Sequence, residues 1–177
     1  MEEADKLARF EQAILPHLDA AYNLARWLTR NEHDAEDVVQ EAYLRAFKFF
    51  SGFHGADGRA WLLTIVRHTC YSWLDRNRGH ELVGDFDAEV SEIESPGPNP
   101  EAILLESANQ HLVRQALEAL PVEFREVIIL RELEGLSYKE IADLADLPIG
   151  TVMSRLARAR KRLQQDLARA HVQGGLR

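Results

Sequence analysis

A run of basic side chains near the C-terminus is the group of residues best suited to a chemical task, the binding of a polyanion. The segment PIGTVMSRLARARKRL, residues 148–163, holds five basic residues within eight positions. Read as a helix, it gathers hydroxyl and basic side chains on one side: Thr151, Ser154, Arg155, Arg158, Lys161 and Arg162. Arginine can donate two hydrogen bonds to guanine, and hydroxyl groups can bond bases or phosphates. The pattern therefore predicts a helix that enters the major groove of DNA.

The opposite side of this segment is apolar and would hold the basic side in place. Its apolar residues recur at helical spacing along one stripe: Val152, Leu156, Ala159 and Leu163. Upstream, Ser137 and Glu140 have the spacing of a capping box, which predicts that SYKEIADLA, residues 137–145, is a short helix. A turn through Pro148 joins the two, so the sequence predicts a helix-turn-helix. A solvated surface helix is the alternative, and the nearly uniform sign of the charge disfavours it.

A change in composition separates this part of the chain from the part before it. The stretch GHELVGDFDAEVSEIESPGPNP, residues 79–100, has no Lys or Arg and has three prolines within five positions, as an extended tether would. Asn99 and Pro100 then predict the start of a helix, and Pro121 predicts another that stops before Gly135. Apolar residues recur at spacings of three and four almost everywhere else. We expect an all-α protein of two small helical domains joined by an acidic, Pro-rich linker.

Length, charge and cysteine content limit the class of protein further. The chain has 177 residues and a net charge of -8, and residues 81–113 carry eight acidic residues and no basic one. The overall acidity is therefore a local property and does not argue against DNA binding elsewhere. A single cysteine, Cys70, excludes a disulfide framework. No apolar run approaches the roughly 18 residues of a membrane span, and no export signal is evident, so we expect a cytoplasmic protein without membrane insertion.

A predicted helix over residues 34–50 has two unlike sides. Its core side gathers apolar residues: Val38, Val39, Ala42, Ala46, Phe49 and Phe50. The other side combines polar with large apolar side chains: Asp37, Gln40, Glu41, Leu44 and Phe47. Apolar residues beside hydrogen-bonding groups are typical of a protein-binding patch, and a second core contact is the alternative. The carboxylates near His33 also admit a metal site, which we disfavour because no other helix offers a matching ligand set.

The segment after this helix combines glycine, aromatic and basic residues. The loop SGFHGADG, residues 51–58, has three glycines that permit tight turns. A predicted helix over residues 59–79 follows, with aromatic and basic side chains around it: Trp61, Arg67, His68, Tyr71 and Arg78. Bases stack on aromatic rings while cations hold the backbone, so this mixture suits a single nucleic-acid strand. The alternative for Trp61 and Tyr71 is that they pack within the protein instead of binding nucleic acid.

Three segments of the chain together resemble a known family, the extracytoplasmic-function group of bacterial sigma factors. Residues 120–163, LPVEFREVIILRELEGLSYKEIADLADLPIGTVMSRLARARKRL, are similar to the domain of the family that reads the minus-35 promoter element. Residues 31–50 and 59–79 are similar to the domain that binds polymerase and opens the minus-10 element. The resemblance implies domains over 1–80 and 100–172 with a linker over 81–99.

The resemblance also implies roles for the residues singled out above. Asp37, Gln40, Glu41, Leu44 and Phe47 would dock on core RNA polymerase. In the loop over residues 51–58, Phe53 and His54 would lie near a flipped-out base of the minus-10 strand. Together with the predicted helix over residues 59–79, this loop would supply the residues that contact the strand: Phe53, His54, Trp61, Arg67, His68, Tyr71 and Arg78. The basic side of the last helix, Thr151 to Arg162, would hold the minus-35 duplex. An anti-sigma factor is expected as a further partner.

The resulting hypothesis is an alternative sigma factor that is not an enzyme, with no catalytic residues, metal or cofactor. Two other classes remain open. One is a helix-turn-helix repressor or activator with a helical effector domain, which predicts duplex binding without polymerase. The other is a helical metal-dependent hydrolase with a DNA-binding domain, which predicts stoichiometric metal.

Overall fold

A computed structural model describes the backbone of residues 2–55, 57–77 and 102–175, and the side chains of the same residues except 102–108 and 171–175. Four helices form the first half: α1 (Glu2–Ile14), α2 (Leu18–Thr29), α3 (Glu32–Phe49) and α4 (Gly58–Arg76). Short 3-10 turns, Leu15–His17 and Phe50–Gly52, follow α1 and α3. The predicted linker over 81–99 and the predicted helix start at Asn99 and Pro100 lie outside the described residues.

Four further helices form the second half: α5 (Ala102–Ala119), α6 (Val122–Ile128), α7 (Tyr138–Ala145) and α8 (Ile149–Gly175). A π-helical turn, Ile129–Leu133, continues α6, and the amide of Glu134 donates to the carbonyl of Ile129 over 3.0 Å. Gly135 then reverses the chain with φ of 69°, in the left-handed region that glycine adopts without steric cost. The helix predicted after Pro121 thus ends before Gly135, as expected.

Side chains cap the N-termini of α3, α4 and α7. The Ser137 hydroxyl accepts from the Glu140 amide over 3.1 Å, and the Glu140 carboxylate accepts from the Ser137 amide over 3.0 Å. The capping box predicted from the sequence is confirmed. Asn31 and Asp57 cap α3 and α4 in the same way, each accepting from the amide three residues later. The helix-turn-helix is therefore α7, a turn in which Asp146 has φ of 56°, and α8.

Aromatic rings fill one end of the first half. The Phe10 ring meets the rings of Phe47 and Phe50 edge-to-face, with centroids 5.2 and 5.3 Å away. Phe50 is buried as predicted, but Phe49 is 58% exposed, so its assignment to the core is wrong. The reason is geometric: α3 ends at Phe49, and the 3-10 turn that follows directs Phe50 inward. The helix also begins at Glu32, two residues before the predicted start.

The core of the second half lies under α8. The predicted stripe is confirmed at Val152, Leu156 and Ala159, which are fully buried, and Leu163 is half-buried. Helix α8 packs against α5, α6 and α7. Because this stripe is fixed against three helices, the direction in which the opposite side of α8 points is fixed as well.

The two halves pack on each other, with α2 against α6 and α4 against α7. The all-α fold class with a helix-turn-helix in its C-terminal part is confirmed, and the described residues contain no strand. Among the residues that the structure describes, no helix combines the length and the apolar character needed to cross a bilayer.

Candidate nucleic-acid and polymerase interfaces

The outer side of α8 presents the residues predicted for duplex DNA, and we call it the basic face. Ser154, Arg158, Lys161 and Arg162 are exposed, and Thr151 and Arg155 are half-exposed. Within the described part of the chain, neither Arg155 nor Arg158 pairs with a carboxylate. Guanidinium groups in this state can meet phosphate or guanine without first breaking an internal ion pair.

Arg160 differs from its neighbours on α8. Its guanidinium donates to the Glu132 carboxylate over 2.7 Å, which turns it back toward the π-helical turn and raises its pKa. Both side chains are largely solvated, so the pair contributes little to stability. Within residues 148–163, Arg160 is thus an arginine whose guanidinium group binds another side chain of the protein.

The predicted polymerase-docking side of α3 is only partly an exposed surface. Asp37 and Gln40 are exposed, and Leu44 is 68% exposed. Phe47, in contrast, is half-buried against Phe10, with the Lys6 ammonium 4.7 Å from its ring centroid. Phe47 thus has a core contact with α1, which is the alternative given above for this side of the helix.

Glu41 on the same side of α3 is held by two arginines. Arg45 approaches its carboxylate to 3.1 Å and Arg76 of α4 to 3.5 Å. Asp34, one turn before Asp37, has a raised pKa because of burial and the Asp37 charge. Among the described residues, no three His, Cys, Asp or Glu side chains come together as ligands of a metal ion. Of the carboxylates near His33, those of Glu36 and Asp37 are exposed and those of Asp34 and Glu41 are half-buried.

The loop between α3 and α4 carries a small aromatic cluster. Phe53 lies 5.8 Å from Phe50 in a stacked arrangement and 4.9 Å from Trp61, measured between ring centroids. Both Phe53 and Trp61 are half-buried, so each packs on one side and is open to solvent on the other. His54 is exposed beside them. The structure thus brings these three predicted residues together at one end of the first half.

The residues of α4 that are predicted to bind the minus-10 DNA strand differ in their exposure. His68 is exposed, whereas Arg67 and Tyr71 are directed at α6 and both engage the Glu126 carboxylate. The Tyr71 hydroxyl donates to Glu126 Oε2 over 2.7 Å, and the Arg67 Nε donates to Glu126 Oε1. Arg78 lies outside the described residues. In this arrangement the second half of the chain covers part of the surface predicted for DNA.

Burial and the Glu126 charge shape the protonation of these groups. Burial lowers the pKa of the Arg67 guanidinium, but the hydrogen bond and charge of Glu126 outweigh it, so that the pKa is raised overall. Burial, and after it the Glu126 charge, raises the pKa of the Tyr71 hydroxyl. Burial also raises the pKa of the Cys70 thiol to about 12. Arg67 is therefore charged, and Tyr71 and Cys70 are neutral, at neutral pH.

Sequence reasoning missed Glu126. This residue is fully buried on α6, directly before the apolar run VIIL, residues 127–130. An acidic residue in a run of buried residues needs a cationic or hydrogen-bonding partner. That requirement is a signal in the sequence, but the identity of the partners is not, because they lie 59 and 55 residues away.

Two family models match the chain in consecutive segments. Sigma-70 region 2 matches residues 13–80, and Sigma-70, region 4 matches residues 110–163. The ECF RNA polymerase sigma-E factor of Escherichia coli is 39% identical in an alignment 135 residues long, and this alignment covers 72% of this chain and 71% of that protein. The chain belongs to the ECF sigma factors. A second relative, the sigma factor SigE of Mycolicibacterium smegmatis, is 33% identical over 90% of this chain, but the match spans only 62% of that relative.

Two solved structures share the fold of this ECF sigma factor. RpoE from Bartonella quintana, in complex with the anti-sigma factor NepR, matches with a TM-score of 0.70 and 35% identity, over 90% of this chain and 97% of RpoE. CnrH, in complex with the cytosolic domain of CnrY, matches with a TM-score of 0.64 and 27% identity, over 94% of each chain. The family resemblance read from the sequence is confirmed. The residue roles within the two regions stay predictions.

Proposed function

We propose that this ECF sigma factor binds core RNA polymerase and directs promoter-specific transcription initiation by recognising minus-10 and minus-35 elements. One observation carries the proposal: region 2 and region 4 matches occur in that order, and the second ends on a helix-turn-helix with a solvent-facing basic face. A helix-turn-helix alone occurs in many DNA-binding proteins. Its combination with region 2 favours an initiation factor.

Docking on polymerase is assigned to the side of α3 that carries Asp37, Gln40, Glu41, Leu44 and Phe47, which we call the docking face. Leu44 supports this assignment because it has the largest exposed fraction, 68%, among the exposed large apolar side chains of the described residues. Acidic and amide groups around it supply the polar rim of a protein interface. Phe47 is half-buried against Phe10, so only part of its ring is left to contact the partner.

The minus-10 element is assigned to the loop after α3 and to α4. Extruding a base costs a few kcal/mol, which stacking in a preformed pocket offsets. Phe53 and Trp61 are half-buried and 4.9 Å apart, so part of each ring remains open for such a base. His68 adds a solvent-facing hydrogen-bonding group on α4, and Arg67, Tyr71 and Arg78 complete the assignment.

The minus-35 element is assigned to the basic face of α8. Its hydroxyl and guanidinium groups suit both phosphates and base edges. Helix α7 begins at the Ser137 capping box and packs against α8, so α8 is held by the preceding helix. Arg155 and Arg158 are the residues that we expect to read bases.

Polymerase docking and minus-10 recognition are assigned to a domain over residues 1–80, and minus-35 recognition to a domain over residues 100–172. The linker over residues 81–99 joins the two domains. Such a protein acts by binding and is not an enzyme, and it works in the cytoplasm because polymerase and promoter are there. Control by an anti-sigma factor is supported by the structural relative RpoE, which is in complex with the anti-sigma factor NepR.

Run-off transcription with core RNA polymerase and a library of promoter sequences tests the proposal. We expect selective initiation that depends on both elements and that is absent without this chain. Tight duplex binding without polymerase, and no gain in selective initiation, would favour a repressor or activator instead. Stoichiometric metal with chelator-sensitive hydrolysis would favour the hydrolase.

A further inference from the structure

Met153 is a large apolar residue of α8 that lies outside the core stripe. It is 50% exposed, although Val152, the residue directly before it, is fully buried. With about 100° of rotation per residue, Met153 points about 90° away from the middle of the stripe, and Ser154 points almost opposite to the stripe. The packing of α8 against the other helices therefore leaves half of the Met153 side chain in solvent.

The neighbours of Met153 on the outer side of α8 belong to the proposed DNA contact. Ser154 and Arg158 of the basic face are exposed, and Ser154 lies between Met153 and Arg158 around the helix. Ala157, one turn after Met153, is also exposed and is too small to cover it. Met153 thus continues the basic face on its far side from Arg155.

Position along α8 gives this exposed side chain its significance. Isolated apolar residues on a protein surface are normal and need no explanation by themselves. Met153, however, is the fifth residue of α8, which begins at Ile149. In a helix-turn-helix, the N-terminal residues of the second helix are the ones that contact base edges in the major groove.

The chemistry of methionine suits one feature of that groove. Base edges present hydrogen-bond donors and acceptors there, and one apolar group, the C5-methyl of thymine. A thioether has no donor and only a weakly accepting sulfur, so placing it on a polar base edge would leave that edge without its water and without a partner. Contact with a thymine methyl instead removes apolar surface of both groups from water.

Ile149 is the second exposed large apolar residue in the first two turns of α8. It is 44% exposed, close to the value for Met153. Its direction, however, is about 40° nearer to the core stripe than that of Met153. Ile149 therefore provides a matched control for the outward direction of Met153.

We propose that Met153 is a specificity-determining residue of the minus-35 contact and recognises a T·A pair through the C5-methyl of its thymine. Arg155 and Arg158 read polar base edges, and Met153 adds a preference that hydrogen bonds do not supply. The minus-35 element of this sigma factor then contains a thymine whose methyl group contributes to initiation. The inference rests on the proposed function, because that function places α8 in the major groove.

Replacement of thymine by uracil tests this contact at the level of one methyl group. Deoxyuridine pairs with adenine as thymidine does and lacks only the C5-methyl. The promoter is one found active in run-off transcription, and each thymine of its minus-35 element, on either strand, is replaced in turn by deoxyuridine. Holoenzyme assembled from core polymerase and the full-length chain is used below saturation, and the initiation rate is measured on each template.

We expect one replacement to lower initiation by wild-type holoenzyme about fourfold, the factor that corresponds to one methyl-sized group returned to water. Met153→Ala should lower initiation on the thymine template by a similar factor and respond equally to thymine and uracil. Met153→Leu keeps an apolar side chain and should retain the sensitivity to uracil. Alanine and leucine are both strong helix formers, so neither change at this half-exposed position should disturb folding.

Ile149→Ala should keep the wild-type ratio of initiation on thymine and uracil templates. An equal loss of uracil sensitivity in Ile149→Ala and Met153→Ala would overturn the assignment to Met153. So would a wild-type holoenzyme that is indifferent to every uracil replacement. If Met153→Ala lowered initiation but kept the thymine-to-uracil ratio of wild type, Met153 would contact a protein partner instead, and the inference would be wrong.

The two hypotheses fail in different ways. Run-off transcription without selective initiation contradicts the proposed function itself. Selective initiation by the wild-type chain, together with a response to uracil that is absent or independent of Met153, contradicts only the thymine contact.

Discussion

Arginine residues of the second half show how position decides the role of one residue type. Arg125 is 2% exposed and donates to the Glu118 and Leu120 carbonyls, so it belongs to the architecture. Arg160 turns back to Glu132. Arg155 points away from the core on the basic face, where helical periodicity alone places it. Helical periodicity thus predicted which arginines face outward. It could not predict the carbonyl partners of Arg125, because their positions depend on turns and helix ends.

Arg155→Ala should weaken the dependence of initiation on the minus-35 sequence. Loss of a bidentate contact to a base should cost about 1–3 kcal/mol at the affected position and relax specificity there. The measurement is run-off transcription from an active promoter and from its single-base minus-35 variants. Arg160→Ala is the matched control, since it removes the same charge from the same helix but from a side chain bound to Glu132. An equal loss of discrimination in both variants would contradict a base-reading role of Arg155.

Helices and their ends were predictable where the signals are local. The Ser137 capping box and the α8 core stripe depend on residues three or four positions apart, and both were found as expected. The end of α3 was not predicted, because Phe49 and Phe50 are both apolar and only the 3-10 turn decides which one is buried. Likewise, the cover that α1 provides for Phe47 depends on a contact distant in sequence.

The start of α4 provides a test of close packing between elements. A Cβ atom on Gly58 would lie 2.6 Å from the Ala13 carbonyl oxygen, a backbone atom of α1 that can yield only if the helix shifts. Gly58→Ala should therefore lower the free energy of unfolding by about 1–3 kcal/mol. Urea unfolding followed by circular dichroism measures this change.

Gly52→Ala is the matched control for that substitution. A Cβ atom at Gly52 would have no neighbour within 4 Å, so its free energy of unfolding should stay within about 0.5 kcal/mol of wild type. Comparable destabilisation by the two variants would show that α1 does not pack against the start of α4 as described.

For the whole molecule, the sequence predicted two helical units but not that they pack together. The ion pair between Arg67 and Glu126 and the bond from Arg125 to Leu28 join residues 59 and 97 positions apart. No periodicity within one helix encodes such pairs.

Leu44→Asp should test whether docking of the first half controls the activity of the second. The substitution adds a charge at a side chain that is 68% exposed, so the free energy of unfolding should change by no more than about 0.5 kcal/mol. Binding to core polymerase should be lost. Minus-35-dependent initiation should be lost with it, because α8 gains an effective concentration on the order of millimolar only when the first half is docked.

The measurements for Leu44→Asp are holoenzyme assembly by size-exclusion chromatography, run-off transcription, and binding of the free chain to a minus-35 duplex. Only the affinity of the free chain for the minus-35 duplex should match that of wild type, since α8 is unchanged. Leu7→Asp is the control, because Leu7 lies on α1, is 42% exposed and is outside the docking face. If Leu44→Asp assembled with polymerase as Leu7→Asp does, the docking face would lie elsewhere on the molecule. If it failed to assemble yet still supported minus-35-dependent initiation, the two halves would act independently.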